Sequence, residues 1–228
     1  FSKYLYPVQS DCLFEAPCYF LDFSNDLITM FIDYTNEADR LTVMFYYWNV
    51  INYFSPYRNI MDQPWDTTLL EFIPLIRQAT NSTGFKISFL KFQTNINDTH
   101  AASSSTVMAN PIWGGLYVPD ISFTRIDNQC VVTQVNSTEN LHVGDVLTAI
   151  NQVSIQTIAD SLIEYIPAST PAAFYRDLYQ YMLRGPKDTE VDLTLTNRFD
   201  QPFTIKLKRG VHWGMDQSVI TPRSYYIT

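Results

Sequence analysis

His100 carries the clearest chemistry in this sequence. It closes the run Asn97-Asp98-Thr99-His100, at the end of a predicted helix, where a side chain can project into a cleft. An imidazole can take a proton from a hydroxyl near neutral pH. Asp98 can orient that ring, or it can satisfy backbone groups at the helix end, the commoner role for an aspartate there. His100 can equally be a loop histidine capping the preceding helix. Thr99 adds a neighbouring hydroxyl. Ser103, Ser104 and Ser105 lack the Gly-x-Ser-x-Gly setting of an exposed nucleophile and read as a small polar linker. His142 and His212 have no partners at ligand spacing, so no metal and no cofactor are expected. Cys12, Cys18 and Cys130 do not make a disulfide framework. Cys12 and Cys18 either pair in an oxidising compartment or remain buried thiols.

The elements that must position these groups follow from periodicity. Residues 37–53 predict a helix with Leu41, Phe45 (or Met44), Trp48 and Ile51 on one face. Pro56 ends it, because the Pro ring excludes helical geometry at Ser55. A second helix starts near Trp65 and carries Leu69, Phe72, Ile73 and Ile76, with Pro74 expected to kink it or shift its boundary. A third runs from about Phe85 to Ile96, with Phe85, Phe89, Phe92 and Ile96 on one face. Three such stripes make a small bundle. Residues 1–36 are aromatic-rich and irregular, and read as edge strands or an ordered arm.

Composition shifts after the polar stretch Ala101–Asn110. Alternating strands are predicted at Ile121–Ile126, Cys130–Val135, Val191–Thr196 and Phe203–Lys208. Helices are predicted from Thr157 to Tyr165 and after Ser169 or Thr170, with Pro171 at the first position. The most specific stretch is Leu141–Ile155. There a Gly144-Asp145 turn, an alternating strand, an Asn151-Gln152 turn and a second short strand follow in order. This resembles the central hairpin of a PDZ domain. The fold class is therefore α+β: a small helical bundle, then a PDZ-like partly open β-barrel with two flanking helices. The expected domains are residues 1–110, an arm and helical cap, and residues 111–210, PDZ-like. Residues 211–228 would begin a linker to a protease core that the chain does not reach.

The excess of 23 acidic over 15 basic residues gives a net charge of −8, which disfavours nucleic acid and anionic membranes as partners. No apolar run is long enough to span a bilayer. No signal peptide is evident and Phe1 is not Met, so the chain reads as processed or cut. Asn81-Ser82-Thr83, Asn97-Asp98-Thr99 and Asn136-Ser137-Thr138 match the glycosylation acceptor pattern, which is short and often met by chance.

Two regions together resemble the tail-specific (C-terminal-processing) serine peptidases, especially their tricorn-like branch. The first is Phe45–Tyr57 with Asp62, Trp65-Asp66 and Asn95–His100; the second is the PDZ-like unit from about Trp113 to Arg209. The resemblance implies the order helical cap, PDZ unit, protease core, with the nucleophilic serine beyond residue 228. It implies that His100, which matches that branch's general base in position, acts in a complete enzyme only. Thr99 stands where that branch often has serine. This chain alone would then hydrolyse nothing. A PDZ unit implies polypeptide substrate or a C-terminal tail as partner, docked by strand addition. The edge would be Asp120, Ile121, Ser122, Phe123 and Thr124. The opposite wall would be Phe174, Leu178 and Tyr181, and N–H groups from Leu116 to Ile121 would receive a carboxylate. The Gly-Leu-Gly-Phe-like loop is not intact: Gly114-Gly115-Leu116-Tyr117 is the nearest approach, and Pro119 lacks an N–H. The resemblance further implies a periplasmic or extracellular location. The other reading is a stand-alone PDZ-type binding or scaffolding protein.

Overall fold

The computed structural model describes residues 5–7, 19–21, 33–101, 112–136 and 140–213. Ser103–Ser105, Cys12 and Cys18 lie outside the described residues, as do Ser137 and Thr138 of the last acceptor pattern. The chain divides into two compact units, Phe1–Asp33 and Tyr34–Thr228. In the first, β1 (Leu5–Pro7) pairs antiparallel with β2 (Tyr19–Leu21).

The second unit begins with three helices. α1 spans Glu37–Phe54, capped by the Asn36 side chain, which accepts from the Ala38 N–H at 2.9 Å. It stops at Ser55, whose backbone is extended ahead of Pro56. α2 spans Trp65–Gln78 and continues through Pro74 for a further turn. α3 spans Ser82–Thr94, three residues earlier than the apolar stripe alone suggests. The reason is Asn81, whose side chain caps it by accepting from the Gly84 N–H at 2.9 Å.

Phe92 is the hub of this bundle. It is fully buried and stacks on Trp65 at 4.8 Å between centroids, with Phe72 at 5.4 Å and Tyr47 at 6.1 Å. Phe85, Phe89 and Ile96 are buried beside it, as the stripe predicts. On α1 the core position is Met44, fully buried, while Phe45 is exposed. The Trp48 and Trp65 indoles donate to each other's carbonyls, at 3.2 and 3.1 Å, and so lock α1 to the start of α2. Buried Arg40 donates to the carbonyls of Tyr34, Ile76 and Arg77, the last two at the C-terminal end of α2, whose carbonyls lack helical partners.

The remainder is a sheet with helices. β3 (Tyr117–Val118) pairs with β10 (Val211–His212). β4 (Ile121–Ile126), β5 (Gln129–Val135), β6 (Val146–Ile150), β8 (Glu190–Thr196) and β9 (Pro202–Lys208) form an antiparallel sheet in that order, and β7 (Val153–Ser154) pairs with β6. Two-residue turns join β4 to β5 and β6 to β7. Asp127, Asn128, Asn151 and Gln152 all have positive φ there, the geometry that suits a tight hairpin. α4 (Ile155–Leu162) continues as a 3-10 turn, Ile163–Tyr165. α5 (Pro171–Tyr181) is capped by Thr170 with Pro171 in its first turn. Val132, Leu147, Ile150, Leu178, Val191, Leu193 and Leu195 fill the core between sheet and helices. The fold is α+β, and the sheet does not close into a barrel. Bundle and sheet meet where Lys91 pairs with Glu164 at 2.7 Å and the Thr94 hydroxyl donates to the Glu164 carbonyl at 3.0 Å.

Candidate functional site

His100 lies in a single 3-10 turn, Thr99–Ala101, with Thr99 half-buried beside it. That turn hangs between two anchors, Ile96 and Ala101, both in the bundle core. Asn97 adopts a left-handed backbone, and its side-chain amide donates to the Asp62 carboxylate. The Tyr47 hydroxyl donates to the Ala101 carbonyl at 3.4 Å. Burial pushes that phenol up to about 12, so it remains a donor.

Asp98 fills both roles that its position allows. One carboxylate oxygen accepts the His100 backbone N–H at 2.9 Å and meets His100 Nδ1 at 2.8 Å. The backbone N–H, with the imidazole second to it, holds the Asp98 carboxyl below the usual carboxylate range against the opposing effect of burial. With Nδ1 tied to a carboxylate, Nε2 is the nitrogen left to accept a proton. The ring is 92% exposed, so it is oriented yet open to solvent. Among the described residues no hydroxyl is hydrogen-bonded to Nε2. Nearby, a cleft of about 330 Å³ opens between Asn52, Arg58, Met61, Gln63, Trp65 and Asp66. Gln63 ties it to this region by donating to Asn95 at 3.3 Å. Sequence reasoning missed this cleft. Its walls come from a turn and two helix ends, and no periodic pattern marks such a place.

The second candidate lies along β4. Among the described residues this strand pairs with β5 alone, so its other edge carries no strand. The hairpin register puts Ile126 opposite Gln129 and Thr124 opposite Val131. In a two-residue hairpin those are the hydrogen-bonded pairs, so Phe123 and Arg125 turn their N–H and C=O groups outward. α5 runs alongside. The Arg125 guanidinium reaches across to it and lies 4.0 Å from the Tyr175 ring centroid.

The other predicted site residues fall as follows. Ile121 is buried, Ser122 is half-buried with its carbonyl accepting the Thr133 hydroxyl at 3.3 Å, and a bulge separates it from Phe123. Phe174 (8% exposed) and Leu178 (0%) belong to the core, so they form at most the floor of a cleft. Tyr181 packs between Trp113 at 4.9 Å and Trp213 at 5.3 Å. In the Leu116–Ile121 loop, the Tyr117 N–H donates to Gly185 and the Ile121 N–H to Pro119, while Asp120 accepts from the Asn136 side chain at 3.0 Å. The Leu116 carbonyl accepts the Trp213 N–H at 2.7 Å. Two of the donors expected to meet a carboxylate therefore already have protein acceptors. Among the described residues no cluster of three or more His, Cys, Asp or Glu could hold a metal ion.

No family model and no curated protein matches this sequence. Solved structures do. Mature CPAF superposes with a TM-score of 0.55 at 12% identity, over 75% of this chain and 34% of that one. CPAF complexed with lactacystin gives 0.53 over the same shares, again at 12% identity. The photosystem II D1 C-terminal processing protease gives 0.36 at 13% identity, over 75% of this chain and 43% of that one, too low to argue from. At these identities the likeness is one of fold: the chain has a fold related to part of CPAF. It spans about a third of the CPAF chain's length.

Proposed function

We propose that this chain is the non-catalytic front portion of a tail-specific serine peptidase. Its parts are an arm and helical cap (residues 1–110), a PDZ-like domain (111–210) and the start of a linker to a protease core. The PDZ-like domain docks an extended polypeptide substrate, and His100, oriented by Asp98, is the general base for a serine supplied elsewhere in the full-length protein. The location is periplasmic or extracellular; among the described residues no helix is long and apolar enough to cross a membrane.

The observation that carries the reading is the edge of β4 beside α5, which pairs with no strand among the described residues. An extended peptide can add to such an edge through main-chain hydrogen bonds. The CPAF-like fold supports the family assignment without fixing the chemistry.

The test is a titration of the ¹⁵N-labelled chain with an amidated, alternating Val-Thr hexapeptide. The Phe123 and Arg125 amides should shift and gain protection from exchange, with Thr124 and Ile126 moving less. If no β4 amide responds, the docking role is wrong. Incubated with casein, the chain alone should cut nothing; serine-inhibitor-sensitive cleavage would refute the division of labour.

A further inference from the structure

Arg184 follows α5 and is 5% exposed. Its Nε donates to the Gly115 carbonyl at 2.8 Å, and its guanidinium carbon lies 4.5 Å from the Trp213 ring centroid. Among the described residues no carboxylate pairs with it, and Nη2 is buried without a hydrogen-bond partner. Two more buried polar atoms at the same junction have no hydrogen-bond partner among the described residues: Trp213 Nε1 and His212 Nδ1. The junction is rigidly built. The Trp213 backbone N–H is fixed on Leu116, and the His212 ring meets Tyr117 edge-on at 5.2 Å. Lys187 sits 5.6 Å from the Tyr117 ring and adds a second cation. Arg209, next to it, has its Nε on the Leu183 carbonyl and Nη1 on the Thr189 hydroxyl and Glu190 carbonyl, again with no carboxylate among the described residues.

A buried guanidinium without a counter-ion is costly, and burial duly lowers the pKa of Arg184. Unpaired N–H donors at the same place raise that cost, and all of it is relieved by an anion. The cations also gather on a chain whose net charge is −8, against the prevailing sign. The guanidinium lies over the Trp213 ring; its Nη2 and the indole N–H are both donors that a carboxylate oxygen can accept.

We propose that Arg184 Nη2 and Trp213 Nε1, with Lys187 nearby and His212 Nδ1 as a third contact, form a seat for a carboxylate group of a polypeptide. The seat adjoins the start of β4, because Gly185 pairs with Tyr117 just ahead of that strand. It would supplement the Leu116–Ile121 loop, where the Tyr117 and Ile121 N–H groups already have protein acceptors. The ligand class rests on the proposed docking function; the anion chemistry rests on the junction alone.

The test follows the four indole N–H signals, with Trp213→Phe assigning the one at issue. N-acetyl-trialanine with a free carboxylate should shift the Trp213 indole saturably, and its amide should bind about tenfold more weakly or worse. The Trp48 and Trp65 indoles, which have carbonyl acceptors, should stay still. Amidated N-acetyl-Ala-Glu-Ala separates the sources. A response to it supports a seat open to side-chain carboxylates, and a response to the free acid alone supports one for chain ends. If neither carboxylate moves the Trp213 indole, or the amide moves it equally, the seat does not exist. Arg184→Gln should abolish the shift; should that variant unfold, the acid-against-amide comparison on the unaltered chain still decides. Movement of Trp213 without β4 amide shifts supports the seat and removes the strand-addition reading. Shifts in β4 without Trp213 do the reverse.

Discussion

Tyr117 and Gly185 donate their backbone N–H groups to each other's carbonyls, at 3.0 and 2.9 Å. This reciprocal pair clamps the loop ahead of β4 onto the segment after α5, and Gly115 lies against it. A Cβ on Gly115 would fall 2.1 Å from the Gly185 carbonyl carbon and oxygen. Backbone cannot swing aside as a side-chain tip can. Gly115→Ala should therefore cost about 1–3 kcal/mol or more, the range for overpacking a tight contact. Gly210→Ala is the control, since a Cβ there would meet nothing within 4 Å and its φ is not positive. Urea midpoints of the two variants check the difference; equal midpoints would mean the clamp is loose.

Phe174 separates cleft from core. At 8% exposure it sits in the cluster with Leu178 and Val132. Placing a carboxylate there buries a charge without a partner. Phe174→Asp should lower stability by more than the roughly 3–5 kcal/mol typical of large-to-small core changes. Circular dichroism during denaturant unfolding reads this directly. A variant as stable as the parent, with peptide binding lost, would return Phe174 to the wall of an open groove.

The hairpin Val146–Ser154 and the cap Thr170-Pro171 were legible because their determinants are neighbours in the chain. Turn residues with positive φ and an N-cap act over two to four positions, which is the range of sequence pattern. The choice between Met44 and Phe45 was not legible. Both are apolar and adjacent, and only the packing of α2 and α3 decides which turns inward. Arg184 was invisible for a stronger reason: its acceptor, the Gly115 carbonyl, is 69 residues away. A buried arginine carries no period, so nothing in the sequence separates it from the solvated arginines. For His100, spacing offered Asp98 either as the ring's partner or as a helix-end acceptor, but not that one oxygen serves both the backbone and the ring.

Cys130 offers a test of the sheet core. It is 3% exposed, and burial pushes its thiol far above the ordinary range, with Tyr179 hydrogen-bonded to it. Only the thiolate reacts with alkylating reagents, and here it is both scarce and covered. In a Cys12→Ser, Cys18→Ser background, iodoacetamide at about pH 8, near the ordinary thiol pKa, should leave Cys130 unmodified in the native protein. Labelling should begin at the denaturant concentration where the sheet unfolds. Native labelling at the rate of a free thiol would mean that β5 opens locally.

Asp98 links the His100 turn to pH. Its carboxyl is held below the ordinary value of 3.8 first by the His100 backbone N–H and then by the imidazole. Folding therefore favours the ionised form. That stabilisation is present in full above the unfolded pKa, near 3.8, and is lost as pH falls through the lower folded value. The backbone amide of His100 should be protected from exchange at about pH 5 and lose that protection as the carboxyl protonates. Asp98→Asn keeps an acceptor for the N–H but cannot titrate, so its exchange should show no such acid-induced loss. A carboxyl ¹³C titration of Asp98 gives the decisive number. A midpoint at or above 3.8 would show that the carboxylate is not held by His100, and the oriented general base would go with it.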